Sequence, residues 1–234
     1  MVAALEREVW PLVKHWRVSE TEYDGRHFRF FESDEVVLVC GGIGAEPARR
    51  AAEAMIALYA PTVIYSVGFA GALDPNLKAG QVVQPAQVIN AQDCSRVNLG
   101  NGEGVLVSFG AVATPAQKAK MKESFSAQYV DMEAAAVARA AQARGVEFGV
   151  VKAISDEFDF EFPSMERFVD AGGGFRQGRF AAYVAVRPWL WPNVLKLARN
   201  ASMASQALCD WLATALPRMT SGAPKQTLEA MHRP

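Results

Sequence analysis

Two short segments of this chain put acids where chemistry can use them: Val130-Asp131-Met132-Glu133, and the run from Val150 through Lys152 to Ser155-Asp156. Two carboxyl groups in unlike surroundings can divide acid and base work, one holding its proton near neutral pH and the other losing it. Such work falls to acids here because histidine is scarce. His15 and His27 lie near the start and His232 in a polar C-terminal stretch, so a Ser-His-Asp relay or a histidine-rich metal site lacks its parts. Cys40, Cys94 and Cys209 are far apart, odd in number and free of C-x-x-C spacing. They predict neither a disulfide framework nor a zinc site, and they fit a reducing cytoplasm.

The elements that must hold these acids can be read from spacing. Met132 to Arg144 is dense in Ala with no internal Gly or Pro, which predicts a helix that Gly145 ends. Phe148 to Ile154 reads as a buried strand. Glu133 then opens a helix and Asp156 closes a strand. In open α/β sheets ligands sit beyond the carboxyl ends of the strands, so both acids can face one pocket.

Elsewhere strand-like runs (Val36 to Cys40, Val63 to Val67, Val82-Val83, Val88-Ile89, Val105 to Val107) alternate with helix-like ones such as Ala48 to Tyr59. This is α/β layering. Thr114-Pro115-Ala116-Gln117 combines an N-cap, a first-turn Pro and a capping-box Gln, and predicts a helix start. A last helix is expected from Asn193 to Leu216, bounded by Pro192 and Pro217, with a frayed tail beyond. The expected organisation is one domain over residues 1–216 with a tail at 217–234.

Bulk properties narrow the partners. Net charge is -1 and the isoelectric point about 6.3, so no global field draws the chain to nucleic acid or to an anionic membrane. The charge-free run Ala54 to Leu73 is cut by Pro61, Gly68 and Gly71 and reads as core, so no membrane span is expected. Nothing at the N-terminus resembles the apolar region of a signal peptide.

Three glycine-rich stretches each follow a strand: Gly41-Gly42-Ile43-Gly44, Gly68-Phe69-Ala70-Gly71 and Ser108-Phe109-Gly110. As loops they would let backbone approach a ligand closely, or simply make tight turns. A dinucleotide fingerprint fails because position 47 is Pro, and the P-loop pattern is absent.

Together Ala4-Leu5-Glu6-Arg7-Glu8-Val9, Gly42-Ile43-Gly44, Gly68-Phe69-Ala70-Gly71, Leu77 to Val83, Val130 to Glu133 and Ala153 to Asp156 resemble the nucleoside phosphorylase and nucleosidase superfamily. The look is nearest to the methylthioadenosine/S-adenosylhomocysteine nucleosidases, in order over residues 3–159. The resemblance implies a single three-layer domain with a central mixed, twisted sheet flanked by helices. It implies a hydrolase that cleaves a purine–ribose N-glycosidic bond, without cofactor or metal, as a homodimer. In that reading Asp156 protonates the leaving purine, aided by burial, with Ser155 in support. Glu133 grips the ribose hydroxyls with Met132 packed on the sugar, and Glu8 orients and deprotonates water. Ile43, Gly44, Phe69, Ala70, Gly71, Val112 and Ala113 would line the substrate. Taken singly these acids have plainer readings: Glu133 favours a helix dipole, Asp156 could cap a helix, and Glu8 could be a solvated charge.

The chain also departs from that family. Only Met1-Val2-Ala3-Ala4 stands where a full first strand is usual: either the true start lies upstream or the strand is clipped, and a shortened edge would hold Glu8 poorly. Val112-Ala113 replaces an aromatic stacking residue, and Phe69 a small polar one. Residues 157–191 form a long insertion carrying Phe158, Phe160, Phe162, Phe168, Phe175, Phe180, Trp189 and Trp191, with Gly172-Gly173-Gly174 as a candidate hinge. It could wall a pocket for a bulky 5′ substituent or form a dimer interface. Two other functions stay open: a phosphorylase using Gly41 to Gly44 with Arg49 or Arg50 as a phosphate nest, and a catalytically weak nucleoside-binding relative.

Overall fold

The computed structural model describes residues 1–34, 36–161, 168, 170 and 172–220. In chain order the elements are β1 (Val2–Ala3), α1 (Glu6–Val13), β2 (Arg17–Tyr23), β3 (Arg26–Ser33), β4 (Val36–Cys40), α2 (Ala45–Tyr59), β5 (Val63–Ala72), β6 (Val82–Val83), β7 (Gln87–Asn90), β8 (Arg96–Asn98) and β9 (Val105–Ser108). There follow α3 (Pro115–Phe125), β10 (Tyr129–Asp131), α4 (Ala134–Gln142), β11 (Glu147–Asp156), α5 (Gln177–Ala185) and, after a 3-10 turn at Pro188–Leu190, α6 (Trp191–Thr220).

The strands form one mixed sheet in the order β2-β3-β4-β1-β5-β10-β9-β7-β8, with β11 on the other side of β5 and β6 beyond it. Its spine is the parallel pair β5 and β11, in register from Glu147 beside Val63 to Ile154 beside Ala70. Because side chains alternate along a strand, neighbouring residues serve opposite faces. Val2, Phe30, Val39 and Ile64 pack with α2 and α4 on one face. Ala3, Phe31, Leu38, Val67 and Val151 pack with α1 and α6 on the other. The result is helix, sheet, helix: the three layers expected. Phe30 and Phe31 are both fully buried, and each contributes about 1.5–3 kcal/mol by leaving water.

Several expected boundaries move. The strand predicted to stop at Val67 runs on to Ala72, so Gly68 to Gly71 is strand rather than loop. Partners on both sides explain this: Ala153 lies beside Phe69, Ile154 beside Ala70 and Val130 beside Gly71. The last helix begins at Trp191 and ends at Thr220. Pro192 occupies the first turn, where an N–H has no intrahelical partner, and Pro217 forfeits one bond in the final turn without ending the helix. The tail boundary at 217 therefore falls inside α6. Residues 221–234, including His232, and Phe162 lie outside the described residues.

The first strand is short but is no edge. β1 lies between β4 and β5, and its ladder continues as the Gly41 and Gly42 amides donate to the carbonyls of Ala3 and Ala4, both at 2.9 Å. The α1 backbone is tied to α6, with Ser205 Oγ donating to the Arg7 carbonyl at 3.0 Å and Cys209 Sγ to that of Glu8 at 3.8 Å. Glu8 is thus firmly held, contrary to the expectation of a loose edge.

Candidate active site

Glu8 stands in the first turn of α1 and is buried, with Oε2 lacking a hydrogen-bond partner among the described residues. Burial first, and then the neighbouring Glu133 carboxylate, push its proton affinity up to a pKa of about 7, against the pull of Lys152 and Arg7. It looks onto Gly68 of β5, whose φ is +138°. A Cβ at Gly68 would stand 2.5 Å from Glu8 Oε2 and 4.0 Å from Lys152 Nζ. This glycine is required twice over, by its backbone and by the carboxyl beside it.

Lys152 rises from the middle of β11 and is buried, its Nζ 2.9 Å from Asp131 Oδ2. Burial disfavours its charge, but Asp131, Glu133 and Glu8 outweigh that and raise its pKa. Asp131 is fixed in turn. Its Oδ1 accepts from Ser108 Oγ at 2.6 Å and its Oδ2 from the Ala134 amide at 2.9 Å. Glu133 is the N-cap residue of α4; its Oε1 accepts from the Gly44 amide at 2.9 Å and its Oε2 from that of Met132 at 3.2 Å. Its pKa is raised by burial, with Lys152 opposing. Three acids therefore surround one ammonium, and one of them, Glu8, is left short of partners.

Asp156 closes β11 beside Gly71, where the β5–β11 register shifts. A Cβ on Gly71 would stand 2.7 Å from Asp156 Oδ2. Since Gly71 also pairs with Val130 of β10, the Asp156 and Asp131–Glu133 segments meet at the same end of β5. Ser155 Oγ donates to Asp156 Oδ1 at 2.8 Å and lies 3.5 Å from the Ala70 carbonyl. Buried Lys118 of α3 puts Nζ 2.5 Å from Asp156 Oδ2 and 2.6 Å from the Glu157 carbonyl. The sequence reading placed Asp156 in burial alone; the structure gives it an ammonium partner.

The structure brings together Glu8, Glu133, Met132, Gly44, Ala70, Gly71, Ser155 and Asp156. Phe69 points the other way from Ala70 and packs, half-buried, against the α1/α6 core. Ala113 is buried with Val107, Met121 and Val130 under α3, while Val112 is half-buried beside it. Ile43 is engaged by the insertion: its amide donates to the Gly173 carbonyl at 2.8 Å. A Cβ on Gly173 would stand 2.7 Å from Ile43 N and O, so the glycine run is a close-packed contact rather than a free hinge. Sequence reasoning missed Lys118, Lys152 and Asp131 as site members. A lone Lys inside an apolar strand, and a Lys one turn before buried Met121 on a helix, were the available signals.

The four amides of the Gly41–Gly44 loop are all spent within the chain: on Ala3, Ala4, Gly173 and Glu133. Arg49 and Arg50 are engaged too, Arg49 with Glu46 and Glu53 and Arg50 with Glu46. The loop amides therefore offer the alternative phosphate nest no free donor, and both arginines are already paired with acids of their own helix.

Comparison with known proteins agrees with this architecture. A family model described as the phosphorylase superfamily matches residues 1–115 and 103–173. The 5′-methylthioadenosine/S-adenosylhomocysteine nucleosidase of Staphylococcus aureus (strain JH9) is 27% identical over 194 residues, covering 67% of this chain and 85% of that protein. Among solved structures, a Helicobacter pylori 5′-methylthioadenosine/S-adenosylhomocysteine nucleosidase superposes with a TM-score of 0.70, at 16% identity over 93% of this chain and 96% of the other. The futalosine hydrolase of Helicobacter pylori gives 0.69, also at 16% identity and with the same coverage.

Proposed function

The chain belongs to the phosphorylase superfamily, and from that premise we propose that it is a purine nucleosidase. It hydrolyses the N-glycosidic bond of an adenosine-type nucleoside, resembling methylthioadenosine or S-adenosylhomocysteine or bearing a bulkier 5′ group. The observation that carries this reading is Glu8: a buried carboxyl with one oxygen unpartnered among the described residues and a pKa of about 7, beside Glu133 and Lys152. Such a group can take a proton from water at neutral pH.

The steps follow from the groups at the end of β5. As the C1′–N9 bond lengthens, positive charge grows on the ribose, and Glu133 stabilises it while binding the ribose hydroxyls. Its two amide bonds fix its orientation, and Lys152 and Asp131 hold the surrounding charge in balance. Asp156 hands a proton to N7 of the leaving purine, with Ser155 orienting its carboxyl. Lys118, already hydrogen-bonded to Oδ2, is the immediate source of that proton and is reprotonated from solvent. Glu8 removes a proton from the water whose oxygen joins C1′. One O–H and one C–N bond break, one C–O and one N–H bond form, and the proton on Glu8 returns to solvent.

Water rather than phosphate is favoured by the occupied amides of the Gly41–Gly44 loop and the engaged Arg49 and Arg50. A bulky 5′ group is favoured by the aromatic material beside that loop, where Phe168 packs on Phe180 and Tyr183, and Arg7 lies over the Phe175 ring. Homodimerisation and a cytoplasmic location belong to the same reading. Purine release from methylthioadenosine and from a long-chain 5′-alkylthio analogue, with and without phosphate, tests it. Release in phosphate-free buffer is expected; release only with phosphate would make the enzyme a phosphorylase, and binding without release would make it a nucleoside-binding relative.

A further inference from the structure

The net charge of -1 conceals an uneven distribution. From Gly172 to Cys209 the sequence contains no Asp or Glu, but it contains Arg176, Arg179, Arg187, Lys196 and Arg199. The same stretch carries large apolar side chains in solvent: Val186 is 69% exposed, Trp189 70%, Trp191 49%, Leu195 69% and Met203 44%. Trp191 and Leu195 are four residues apart on α6 and share a face. Soluble surfaces scatter single apolar residues, but five large ones exposed within one short segment point to an interaction surface.

Its construction tells what it meets. Indole rings flanked by Arg and Lys are the composition of segments that lie in the boundary between water and lipid. Trp191 is held, not loose: its Nε1 donates to the Val184 carbonyl at 3.1 Å, so its polar edge is satisfied while half of the side chain stays exposed. Arg187 lies over the Tyr183 ring at 3.8 Å and donates to the Tyr183 carbonyl at 2.9 Å, which fixes a cation beside the exposed Val186 and Trp189. Next to this face a groove of about 520 Å³ is lined by Lys78, Lys196, Arg199, Leu195, Met203 and Glu157, among others. Three cations face one acid there, and that acid follows Asp156 in sequence. A protein partner of opposite charge would not need two exposed indole rings, and a second copy would bring five like charges against five.

We propose that the acid-free segment docks the protein on an anionic lipid surface, lying on the bilayer through Val186, Trp189, Trp191 and Leu195 with its cations against the headgroups. No helix among the described residues is long and apolar enough to cross a membrane; the segment lies on the surface and does not span it. The same segment reaches the site from two sides, through Arg7 over Phe175 and Lys196 paired with Glu157 at 3.1 Å. Docking therefore brings the rim of the carboxylate site to the lipid surface.

The full chain is tested by flotation with vesicles of phosphatidylcholine alone or with one third phosphatidylglycerol. Binding to the phosphatidylglycerol vesicles is expected, weakening as salt rises from about 0.1 to 1 M. Each cation removed, as in Arg179→Ala, should weaken it roughly fivefold. The double substitution Trp189→Ser with Trp191→Ser should weaken it at least roughly tenfold while leaving the melting temperature and purine release from a small nucleoside unchanged. Equal binding to both vesicle types, or unaltered binding by the tryptophan variant, would overturn the proposal. So would a loss of dimer mass in that variant by light scattering, which would assign the face to a second copy.

Discussion

The carboxylate end of β5 and the acid-free face of α5 and α6 treat charge in opposite ways. At the first, Lys152 sits among Asp131, Glu133 and Glu8, and Lys118 against Asp156, all enclosed by sheet and helix. In that setting desolvation magnifies every pairing, and an unpartnered oxygen such as Glu8 Oε2 becomes reactive. At the second, five cations have no acid of their own segment and aromatic rings stand in water. Buried charge here serves chemistry, and exposed charge serves placement. Substitutions at the two should therefore fail in different assays.

The largest effect is expected for Asp156→Asn, which should lower kcat by about 100- to 10,000-fold with little change in substrate affinity, read by purine release. Glu133→Gln should lower kcat comparably while also raising KM. Gly68→Ala comes next. Its methyl group would displace the Glu8 carboxyl, and about 100-fold loss of rate is expected, with a stability cost of about 1–3 kcal/mol by denaturant titration. Lys118→Met should lower kcat more than tenfold and leave KM within twofold, whereas Lys118→Arg, which keeps a charge but cannot give up its proton, should restore stability without restoring rate. Smallest of all, Arg179→Ala should change folding stability by less than about 0.5 kcal/mol, because nothing buried depends on it. A large loss of activity on a small soluble nucleoside in that last variant would erase the distinction between the two regions.

Glu8 also links activity to stability. Its folded pKa of about 7 lies above the ordinary value of 4.5, so between those pH values the folded chain holds a proton that the unfolded chain has released. Stability contributed by that proton is present below about pH 4.5 and is lost as pH rises through 7, by about 3 kcal/mol in all. Glu8→Gln removes the penalty and should raise the melting temperature at pH 8 while lowering it little at pH 5.

Much of this arrangement was legible in the residues. The Ala-rich helix after Glu133 was readable because no Gly or Pro interrupts it, and the strand ending at Asp156 because its apolar run reads through the single Gly149. The capping box at Thr114 was readable because its geometry is local, and both of its bonds form. The β2–β3 hairpin was missed because β2 has no apolar run and the buried Phe28, Phe30 and Phe31 of β3 lie among His27, Arg29 and Glu32. Its turn signal was nonetheless present in Asp24-Gly25, both at positive φ. The continuation of β5 through Gly68 and Gly71 was not readable, since glycine usually marks a loop and only the carboxyls of Glu8 and Asp156, distant in sequence, require it there. Lys118 was hidden for the same reason: its partner lies 38 residues away.

The central claim is that Glu8 acts as a base on water with a proton affinity tuned to neutrality. The direct measurement is kcat/KM for a small adenosine-type nucleoside from pH 5 to 9, in phosphate-free buffer, for the wild-type chain and Glu8→Gln. A wild-type rate that climbs to a plateau through about pH 7, with Glu8→Gln at least about 100-fold lower and flat across the range, is the expected result. A wild-type profile with no rise in that window, or a Glu8→Gln rate equal to the wild type, would contradict it.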